Sequence, residues 1–377
     1  MKTLNIIIVN QEYESANHKF LWQELSKKLN GETLIMNIPA DQLITRFILK
    51  KKSRIKESKI NKVKINNNLF LARPMFFIRP EILPRFFNKF IAKKFFEIVE
   101  QRIGETLSNY KINIITYYGK WIDILNSDKK FNKNFSYYIM DEVHLTAHTN
   151  SLNTKSILYD NLGCEMSNQI FTMSSSISEK RNKYADKMLV IGNGSSYPPS
   201  DKEKKIRNQK NVGFIGNFRN WIDVELFKNI LKSNKHLNFG IAGPIENNMK
   251  EILEDMLIEN SNLKYHGIIS KEKVFKIYED FDVIIVPYIQ NDFMFSTRPI
   301  KIVESIFSGT PVVTIPMSGY EESSFIKFAK NIEEFNYYID FLINSPIDKN
   351  EKEYMDFIKE NSWESKAEMI SNFIEKN

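Results

Sequence analysis

The sequence predicts an α/β protein with two Rossmann-like, doubly wound parallel-sheet domains that face each other across a cleft. In both halves, short apolar segments alternate with longer segments whose apolar residues recur at helical spacing. The length of 377 residues suits two domains of ordinary size. Residues 193–211, NGSSYPPSDKEKKIRNQKN, are polar, strongly charged and contain two prolines, which predicts a link between the domains.

The second half shows this alternation most clearly. A strand predicted over 211–218 is followed by a helix in which Ile222, Leu226 and Ile230 recur at helical spacing. Further strands are predicted over 237–244, 262–269, 282–288 and 310–316, and further helices over 247–260 and 271–281. Strands that alternate with helices of about ten residues are typical of a parallel sheet with helices on both faces.

The first half begins in the same way. Parallel strands are predicted over 4–9, 112–118, 135–141, 169–175 and 187–193, and a helix over 15–30. We therefore divide the chain into a first domain over 1–196, a second domain over 197–355, and a closing segment over 356–377. An amphipathic helix is expected in the closing segment, with Trp363 as its anchor on the body of the protein.

Composition excludes several classes of protein. A chain with 42% hydrophobic residues, including 28 Phe, has ample material for packed cores and is not disordered as a whole. The single cysteine, Cys164, excludes a disulfide framework and a cysteine-based zinc site. The apolar run 4–9 is too short for a signal peptide, and no run approaches the ~20 residues that span a bilayer. We expect a cytoplasmic protein, at most peripheral on the inner face of the plasma membrane.

Common cofactor and nucleophile motifs are missing from the sequence. Neither first strand is followed by GxGxxG, and no GxxxxGK[ST] or GxSxG occurs, so we expect no tightly bound NAD or FAD. His144 and His148, four residues apart beside Asp141 and Glu142, allow either a metal site or an ordinary polar loop. Because the spacing alone is a weak signal, we expect no metal there.

Residues 295–316, FSTRPIKIVESIFSGTPVVTIP, predict a helix with an unusual charge pattern at its start. Pro299 suits the first helical position because the N–H that it lacks would be unpaired there, and Gly309 suits the end. First turns favour Asp and Glu, so Arg298 and Lys301 oppose the helix dipole. A phosphate or diphosphate bound between these cations at the helix start would resolve the conflict.

Lys301 and Glu304 lie three residues apart and therefore share one face of this helix. A cation for phosphates and a carboxylate for two ribose hydroxyls, one turn further in, suit a nucleoside diphosphate. Ser296 and Thr297 offer hydroxyls for capping or for phosphate. The alternative is a salt bridge between Lys301 and Glu304 on a solvated face. The position of the helix after a predicted parallel strand favours the binding site.

At these residues the sequence resembles the GT-B glycosyltransferases, especially the GT4-like group with its teichuronic-acid and capsule-type enzymes. RPIKIVESIFSGTPVV is similar to the P-x-K-x-x-E-x(4)-G-x-P-V-V signature, and VGFIGNFRNWIDVELF resembles the start of the donor domain. NLKYHGII is similar to the family's next strand signature. In the first half, YYIMDE, CEMSNQIFTMSSSISEK and VIGNG follow the family pattern more loosely. The likeness extends over most of residues 135–320 and the terminal WESK.

The resemblance implies that the second domain holds a nucleotide-sugar donor. Arg298 and Lys301 would meet the diphosphate, Glu304 the ribose, and the backbone around Ile268 the base. The glycine of the first turn, Gly216, would let the phosphates approach; its alternative role is that of an ordinary turn residue. The residues expected to bind the donor are Gly216, Asn217, Arg219, Ile268, Tyr288, Ser296, Thr297, Arg298, Lys301 and Glu304.

One position departs from the family pattern. Many members carry a second Glu eight residues before the ribose-binding one, where this chain has Ser296. The departure puts the stereochemistry of transfer in question. For the acceptor hydroxyl we expect Asp141 as general base, with Glu142 or His18 as alternatives. Asp141 has a second interpretation as a loop or capping carboxylate, and a lone histidine such as His18 is more often structural.

Positive charge is concentrated in the first half. Residues 1–196 contain 30 Lys and Arg against 18 Asp and Glu, and residues 46–64 alone contain nine cations and one acid. Residues 79–101 interleave aromatic residues with cations, which is typical of helices that lie on anionic membranes. The alternatives are a solvated loop for 46–64 and an ordinary core-facing helix for 79–101. We expect no nucleic acid as a partner because no reading module is recognisable.

These observations predict a glycosyltransferase that needs no metal or other cofactor. The expected donor is a UDP-sugar and the expected acceptor a glycan or a lipid-linked glycan of bacterial surface polysaccharide synthesis. Two alternatives remain open: a nucleotide-sugar epimerase on the same fold, which needs no acceptor, and a non-catalytic partner subunit, which the Ser296 departure would explain.

Overall fold

The computed structural model describes residues 1–10, 13, 16, 18–38, 63–72, 74, 83–142, 145, 154–201 and 209–376. The predicted basic segment 46–64 lies outside the described residues except for its last two positions. The predicted pair His144 and His148 also lies outside them, as do the first four positions of segment 79–101.

The first domain contains a sheet of eight described strands in the order β3-β4-β2-β1-β5-β6-β7-β8, in which all neighbours are parallel except β3 and β4. Its strands are β1 Lys2–Val9, β2 Glu32–Asn37, β3 Val63–Lys64, β4 Leu69–Ala72, β5 Tyr110–Thr116, β6 Lys133–Ile139, β7 Gln169–Thr172 and β8 Met188–Val190. Its helices are α1 Lys19–Lys28, α2 Asn88–Ile103, α3 Gly119–Asn126, α4 Thr154–Met166 and α5 Ser175–Glu179.

The second domain contains a sheet of six parallel strands in the order β11-β10-β9-β12-β13-β14. Its strands are β9 Asn211–Ile215, β10 Asn238–Ala242, β11 Leu263–Tyr265, β12 Val283–Val286, β13 Val312–Thr314 and β14 Ile326–Phe328. Its helices are α6 Val224–Ser233, α7 Lys250–Glu259, α8 Lys271–Glu279, α9 Asp292–Ser296, α10 Ile300–Phe307, α11 Ile332–Asn344 and α12 Lys352–Glu360.

The predicted fold class is confirmed. Each sheet has a switch point, between β1 and β5 in the first domain and between β9 and β12 in the second, where the strand order reverses. Open α/β sheets bind ligands outside the carboxyl ends of the strands at such points. Except for β1, which ends at Val9 as predicted, the observed strands are shorter than the predicted ones at their carboxyl ends.

The last helix, α13 Trp363–Lys376, returns from the second domain to the first. Trp363, Ala367 and Ile370 are buried in the core of the first domain, and the helix packs against α1. A separate apolar core fills the second domain. Within the described ranges, no helix has the length and apolar character needed to cross a membrane.

Candidate active site

A cavity of about 490 Å³ lies between the two domains, at the carboxyl ends of their strands. Its first-domain wall includes Asp141 and Asn193, and its second-domain wall includes the start of α10. Eight of the residues predicted from the sequence line it: Asp141, Gly216, Asn217, Tyr288, Thr297, Arg298, Lys301 and Glu304. A larger groove of about 850 Å³ runs between α1, α13 and residues 195–198, away from these strand ends.

The helix predicted at the cavity, α10, begins one residue later than expected. Pro299 is its N-cap, with φ −62° and ψ 124°, and the first helical residue is Ile300. The N–H groups of Ile300 and Lys301 donate to no described residue, as is usual for the first turn of a helix. Gly309 ends the helix with φ 80°, the left-handed conformation that a helix C-terminus favours in glycine. The entrance of α10 thus presents free donors to the cavity.

Lys301 extends from this first turn across the rings of two aromatic residues. Its Nζ lies 4.4 Å from the ring centroid of Phe214 and 5.1 Å from that of Tyr288. Desolvation by the surrounding protein lowers the pKa of Lys301 to about 7, although Glu304 acts in the opposite direction. A bound anion would restore the charged form, so the ammonium group is suited to meet one here.

Glu304 lies one turn further along the same helix face. Its side chain is 9% exposed, and the hydroxyl of Tyr278 lies 3.5 Å from its Oε2. Tyr278 is fully buried and also lines the cavity. A carboxylate fixed in this way can accept hydrogen bonds from a pair of ligand hydroxyls.

Two glycines leave room for a ligand beside Lys301. Gly216 follows β9 with φ 136°, and a Cβ there would lie 2.5 Å from the Nζ of Lys301. Gly243 follows β10 with φ 134°, and a Cβ there would lie 2.3 Å from the carbonyl oxygen of Gly216. The N–H of Gly216 donates to the carbonyl oxygen of Ala242 and that of Gly243 to the carbonyl oxygen of Gly267, whereas the N–H of Asn217 donates to no described residue. The two turns therefore form a side-chain-free wall with an available donor.

Arg298 reaches past the cavity to the junction of the domains. Its guanidinium donates from Nη2 to Asn361 Oδ1 at 2.8 Å and lies 4.9 Å from the ring centroid of Tyr320. Gly192, with φ 72°, gives it space, since a Cβ there would lie 2.2 Å from Nη1. The side chain of Asn193 donates to the carbonyl oxygen of Arg298. Nη2 of Arg298 is thus engaged by Asn361, and the diphosphate contact of this side chain stays a prediction.

Three other predicted contacts lie beside the cavity rather than in its wall. Ser296 is fully buried and its Oγ donates to the carbonyl oxygen of Phe293 at 2.8 Å. Ile268 is 74% exposed, while its neighbour Ile269 lines the cavity. Arg219 lies outside the wall, 4.0 Å from the ring centroid of Trp221 and paired with Glu246 at 3.2 Å.

The hydroxyl of Thr297 is also engaged locally, because Oγ1 donates to the carbonyl oxygen of Met294 at 2.8 Å. Ser296 and Thr297 thus use their hydroxyls to close the short helix α9.

Asp141 faces this wall from the first domain, two residues after the end of β6. Its side chain is open to the cleft, and the protein around it raises the pKa of the carboxyl by desolvation. A raised pKa favours proton uptake, which a general base requires. Within the described parts of the chain, no three His, Cys, Asp or Glu residues converge in a way that would hold a metal ion.

Glu142, the first alternative to Asp141, points into the first domain instead. It is buried and accepts hydrogen bonds from Nη1 and Nη2 of Arg181 at 3.2 and 3.0 Å. Arg181 also donates from Nε to Asp160 at 2.9 Å. Glu142 therefore belongs to a buried ion-pair cluster that supports the loop carrying Asp141.

His18, the second alternative, is buried among aromatic rings. It stacks on Tyr117 and meets the ring of Trp363 edge-on, and its Nε2 lies 3.4 Å from Asn193 Oδ1. Burial lowers the pKa of His18 to about 4, so the imidazole is neutral near pH 7. It lines a second cavity of about 200 Å³ that shares Met140 with the larger one.

Several residues of the site carried no sequence signal that we used. Gly243 could have been found in the same way as Gly216, since both glycines lie near the carboxyl end of a predicted strand. The other side chains come together only through the fold. The wall residues not predicted are Met140, Met173, Asn193, Ile215, Trp221, Ala242, Gly243, Pro244, Ile269, Val274, Tyr278, Phe293, Met294, Pro299 and Ile300.

The chain is similar to known proteins in sequence over part of its second domain and in structure over its whole length. Residues 209–344 match the family described as Glycosyl transferases group 1. No curated protein sequence matches the chain. A glycosyltransferase from Rickettsia africae has a similar structure, with a TM-score of 0.68, 15% identity, and coverage of 100% of this chain and 99% of that one.

Two further structures are similar over the whole chain. Anabaena HepE, in complex with UDP and glucose, gives a TM-score of 0.63 at 13% identity and full coverage of both chains. The catalytic domain of starch synthase IV from Arabidopsis thaliana, bound to ADP and acarbose, gives 0.62 at 11% identity, covering 100% of this chain and 99% of that one. The chain therefore has the GT-B fold of two Rossmann-like domains, and its residues 209–344 are similar to the glycosyl transferases group 1 family.

Proposed function

We propose that this protein transfers a glycosyl group from a nucleoside diphosphate sugar, with UDP as the expected nucleotide, to a hydroxyl of a glycan or lipid-linked acceptor. One observation carries the proposal. Lys301 and Glu304 lie on successive turns of α10, beside the bare turns of Gly216 and Gly243, and Asp141 faces them across the cleft. The family match of the second domain supports glycosyl transfer.

The donor would be held mainly by the second domain. Lys301, the free N–H groups at the start of α10 and the N–H of Asn217 suit the diphosphate. Glu304 suits the ribose hydroxyls. Ile269 and Val274 give the same cavity an apolar wall on which a base can pack.

The reaction needs a proton acceptor and a stabilised leaving group. The acceptor hydroxyl passes its proton to the carboxylate of Asp141 while its oxygen forms a bond to the anomeric carbon. The bond from that carbon to the diphosphate oxygen breaks, and its electron pair stays on the diphosphate. Lys301 and the start of α10 stabilise the charge that develops there.

Direct displacement of this kind inverts the anomeric carbon, whereas attack on the face that the diphosphate leaves retains it. The buried Ser296, in place of a second carboxylate, makes this outcome worth measuring. The configuration of the product, read by proton NMR, distinguishes the two courses.

The acceptor is expected on the first-domain side. The smaller cavity beside His18 opens at the ends of β1 and β5 and shares the wall residue Met140 with the donor cavity. The fold is also similar to that of a lipopolysaccharide outer core galactosyltransferase, with a TM-score of 0.63 at 12% identity. This likeness supports a role in surface polysaccharide synthesis as part of the proposal.

The experiment is a UDP-release assay with a panel of UDP-sugars and glycan acceptors. We expect Lys301→Ala and Glu304→Ala to lower turnover by about 10²–10³, and Asp141→Asn to lower it by about 10²–10⁴ while UDP still binds. Glu254→Ala, which removes an exposed carboxylate on α7, is the matched control and should leave turnover unchanged.

Three outcomes would contradict the proposal. Unaltered turnover in both Lys301→Ala and Glu304→Ala would remove the donor site. An isomerised donor without acceptor would identify an epimerase. Binding of UDP with no turnover on any donor and acceptor pair would identify a non-catalytic subunit.

A further inference from the structure

Three phenylalanine rings project from the first domain at the start of α2. Phe86 is 79% exposed, Phe90 is 71% exposed and Phe87 is 39% exposed, and the rings of Phe86 and Phe87 lie 4.3 Å apart. Lys89 and Lys93 are exposed beside them. We call these five residues the aromatic–basic patch.

The patch belongs to a helix that is packed against the first domain. The opposite face of α2 is buried in the first-domain core through Ile91, Ala92, Phe95, Phe96 and Val99. Its position is therefore fixed, and its rings point outward because the inward positions of the helix are already occupied.

Asp123 of α3 fixes the beginning of the segment as well. It accepts hydrogen bonds from Nε and Nη2 of Arg85 at 3.2 and 2.7 Å and from Asn88 at 2.9 Å. The rings of the patch are thus presented on a rigid support rather than left to turn inward.

Within the described residues, the two lysines of the patch are not paired with an acid. Lys94, on the same side of α2, pairs with Glu97 at 3.3 Å, whereas Lys89 and Lys93 form no ion pair with any residue that the structure describes. Exposed apolar rings next to unbalanced lysines are the combination that anionic lipid surfaces bind, since rings enter the acyl boundary and lysines stay at the phosphates.

The patch also lies at the carboxyl edge of the first-domain sheet. In a parallel sheet, a helix that follows a strand begins at the carboxyl edge, and α2 begins there after β4, beside the start of α3. Asp141 and the donor cavity lie at the carboxyl edge of the same sheet. A surface that bound the patch would therefore face the side on which the cleft opens.

We propose that the aromatic–basic patch docks this protein on an anionic phospholipid surface, with Phe86 and Phe90 inserted below the headgroups and Lys89 and Lys93 against their phosphates. The docking step is independent of donor chemistry. Its consequence for a lipid-linked acceptor rests on the proposed function, because such an acceptor would then be delivered at the edge of the cleft.

The test is co-sedimentation of the full chain with two vesicle preparations, phosphatidylcholine alone and phosphatidylcholine with phosphatidylglycerol. The wild type should bind the anionic vesicles and not the neutral ones. Phe86→Ser/Phe90→Ser should lose binding by about tenfold or more, and Lys89→Gln/Lys93→Gln should lose about fivefold per lysine removed. Tyr337→Ser, which removes a 64% exposed ring from the second domain, should bind like the wild type.

Insertion is checked by adding one tryptophan to the four that the chain already contains and comparing its fluorescence with that of the wild type. Brominated lipid in anionic vesicles should quench the added fluorescence of Phe90→Trp and not that of Tyr337→Trp. Unchanged binding of the double Phe variant, equal binding to neutral vesicles, or retention on single-stranded RNA in place of vesicles would overturn the proposal. UDP affinity and the thermal midpoint of the patch variants should equal those of the wild type, which separates this result from any failure of the donor site.

Discussion

At Lys301, burial favours the neutral side chain, whereas binding of a diphosphate requires the charged one. Its ammonium group lies against two aromatic rings, and the loss of water lowers its pKa to about 7. The group therefore stays partly neutral in the free protein. A diphosphate at the start of α10 would favour the charged form, so donor binding should take up a proton above pH 7.

We predict that UDP affinity falls as pH rises above about 7, approaching tenfold per pH unit until the pKa of the bound complex is reached. Below pH 7 Lys301 is already charged. In that range the group that titrates is the terminal phosphate of UDP, whose pKa is about 6. Calorimetric titration between pH 7 and 9 measures the effect.

The matched variant for this measurement is Lys301→Arg, whose charge does not titrate in this range and which should bind UDP with a flat pH profile. A wild-type profile as flat as that of the Arg variant would show that the lysine does not contact the nucleotide.

The closeness of Gly216 to Lys301 leads to a steric prediction at the same site. A Cβ on Gly216 would lie 2.5 Å from the Nζ of Lys301, and its φ of 136° is strained for any side chain. Gly216→Ala should therefore displace the lysine and weaken UDP binding by about tenfold or more, at a cost to stability of about 1–3 kcal/mol.

Gly104→Ala separates the two effects. Gly104 has φ 75° at the end of α2, and a Cβ there would meet no atom within 4 Å. This variant should be destabilised by a comparable amount without losing UDP affinity. Equal UDP affinities of the two variants would contradict the steric explanation.

At the scale of elements, the sequence predicted the site best where the helix boundaries and the spacing of side chains along the helix indicated the same arrangement. The entrance and end of α10 were predictable from Pro299 and Gly309, and Lys301 and Glu304 from their spacing, because helix periodicity places them on one face. The directions of Arg298 and Glu142 were not predictable. Both depend on residues far away in sequence, Asn361 and Arg181, that only the fold brings near.

The strands predicted from apolar runs were found, whereas β2, β3, β4 and β14 were not identified. β14, IKF, has only three residues, and β2, ETLIMN, has an apolar run of only three residues after the turn residues Asn30 and Gly31. Their assignment comes from pairing with β1 and β13, which is information about neighbours rather than about the segments themselves. Local pattern therefore predicted the fold class and most strands of each sheet, but not the side of the first sheet formed by β2, β4 and β3, nor β14 at the edge of the second.

The loop after β6 is held by the buried cluster of Glu142, Arg181 and Asp160. Arg181→Met would leave two buried carboxylates without their shared cation, and we predict a loss of about 3–5 kcal/mol in the free energy of unfolding. Lys180, 43% exposed and 3.6 Å from Glu142, provides the control. Lys180→Met should cost less than about 1 kcal/mol. Urea unfolding measures both variants, and equal losses would show that burial of the cluster is unimportant.

At the scale of the whole molecule, the chain ends in the domain in which it begins. α13 follows the second domain in sequence, yet its apolar face completes the core of the first domain, where Trp363 meets His18 edge-on. Just before α13, Asn361 contacts both the Arg298 guanidinium and the link between the domains, through a hydrogen bond from the N–H of Ser195. The two domains are therefore joined both at the link and by this returning helix.

This arrangement predicts which domain a truncation of Trp363 affects. Trp363→Ala removes a side chain that is 3% exposed, so the first domain should lose about 3–5 kcal/mol, or roughly 10 °C in its thermal transition. UDP should raise the transition of the second domain only, which identifies the two transitions in scanning calorimetry. Glu364→Ala, next in the helix and exposed, should change neither transition appreciably. A Trp363→Ala variant that lowers only the UDP-sensitive transition would show that α13 stabilises the second domain instead.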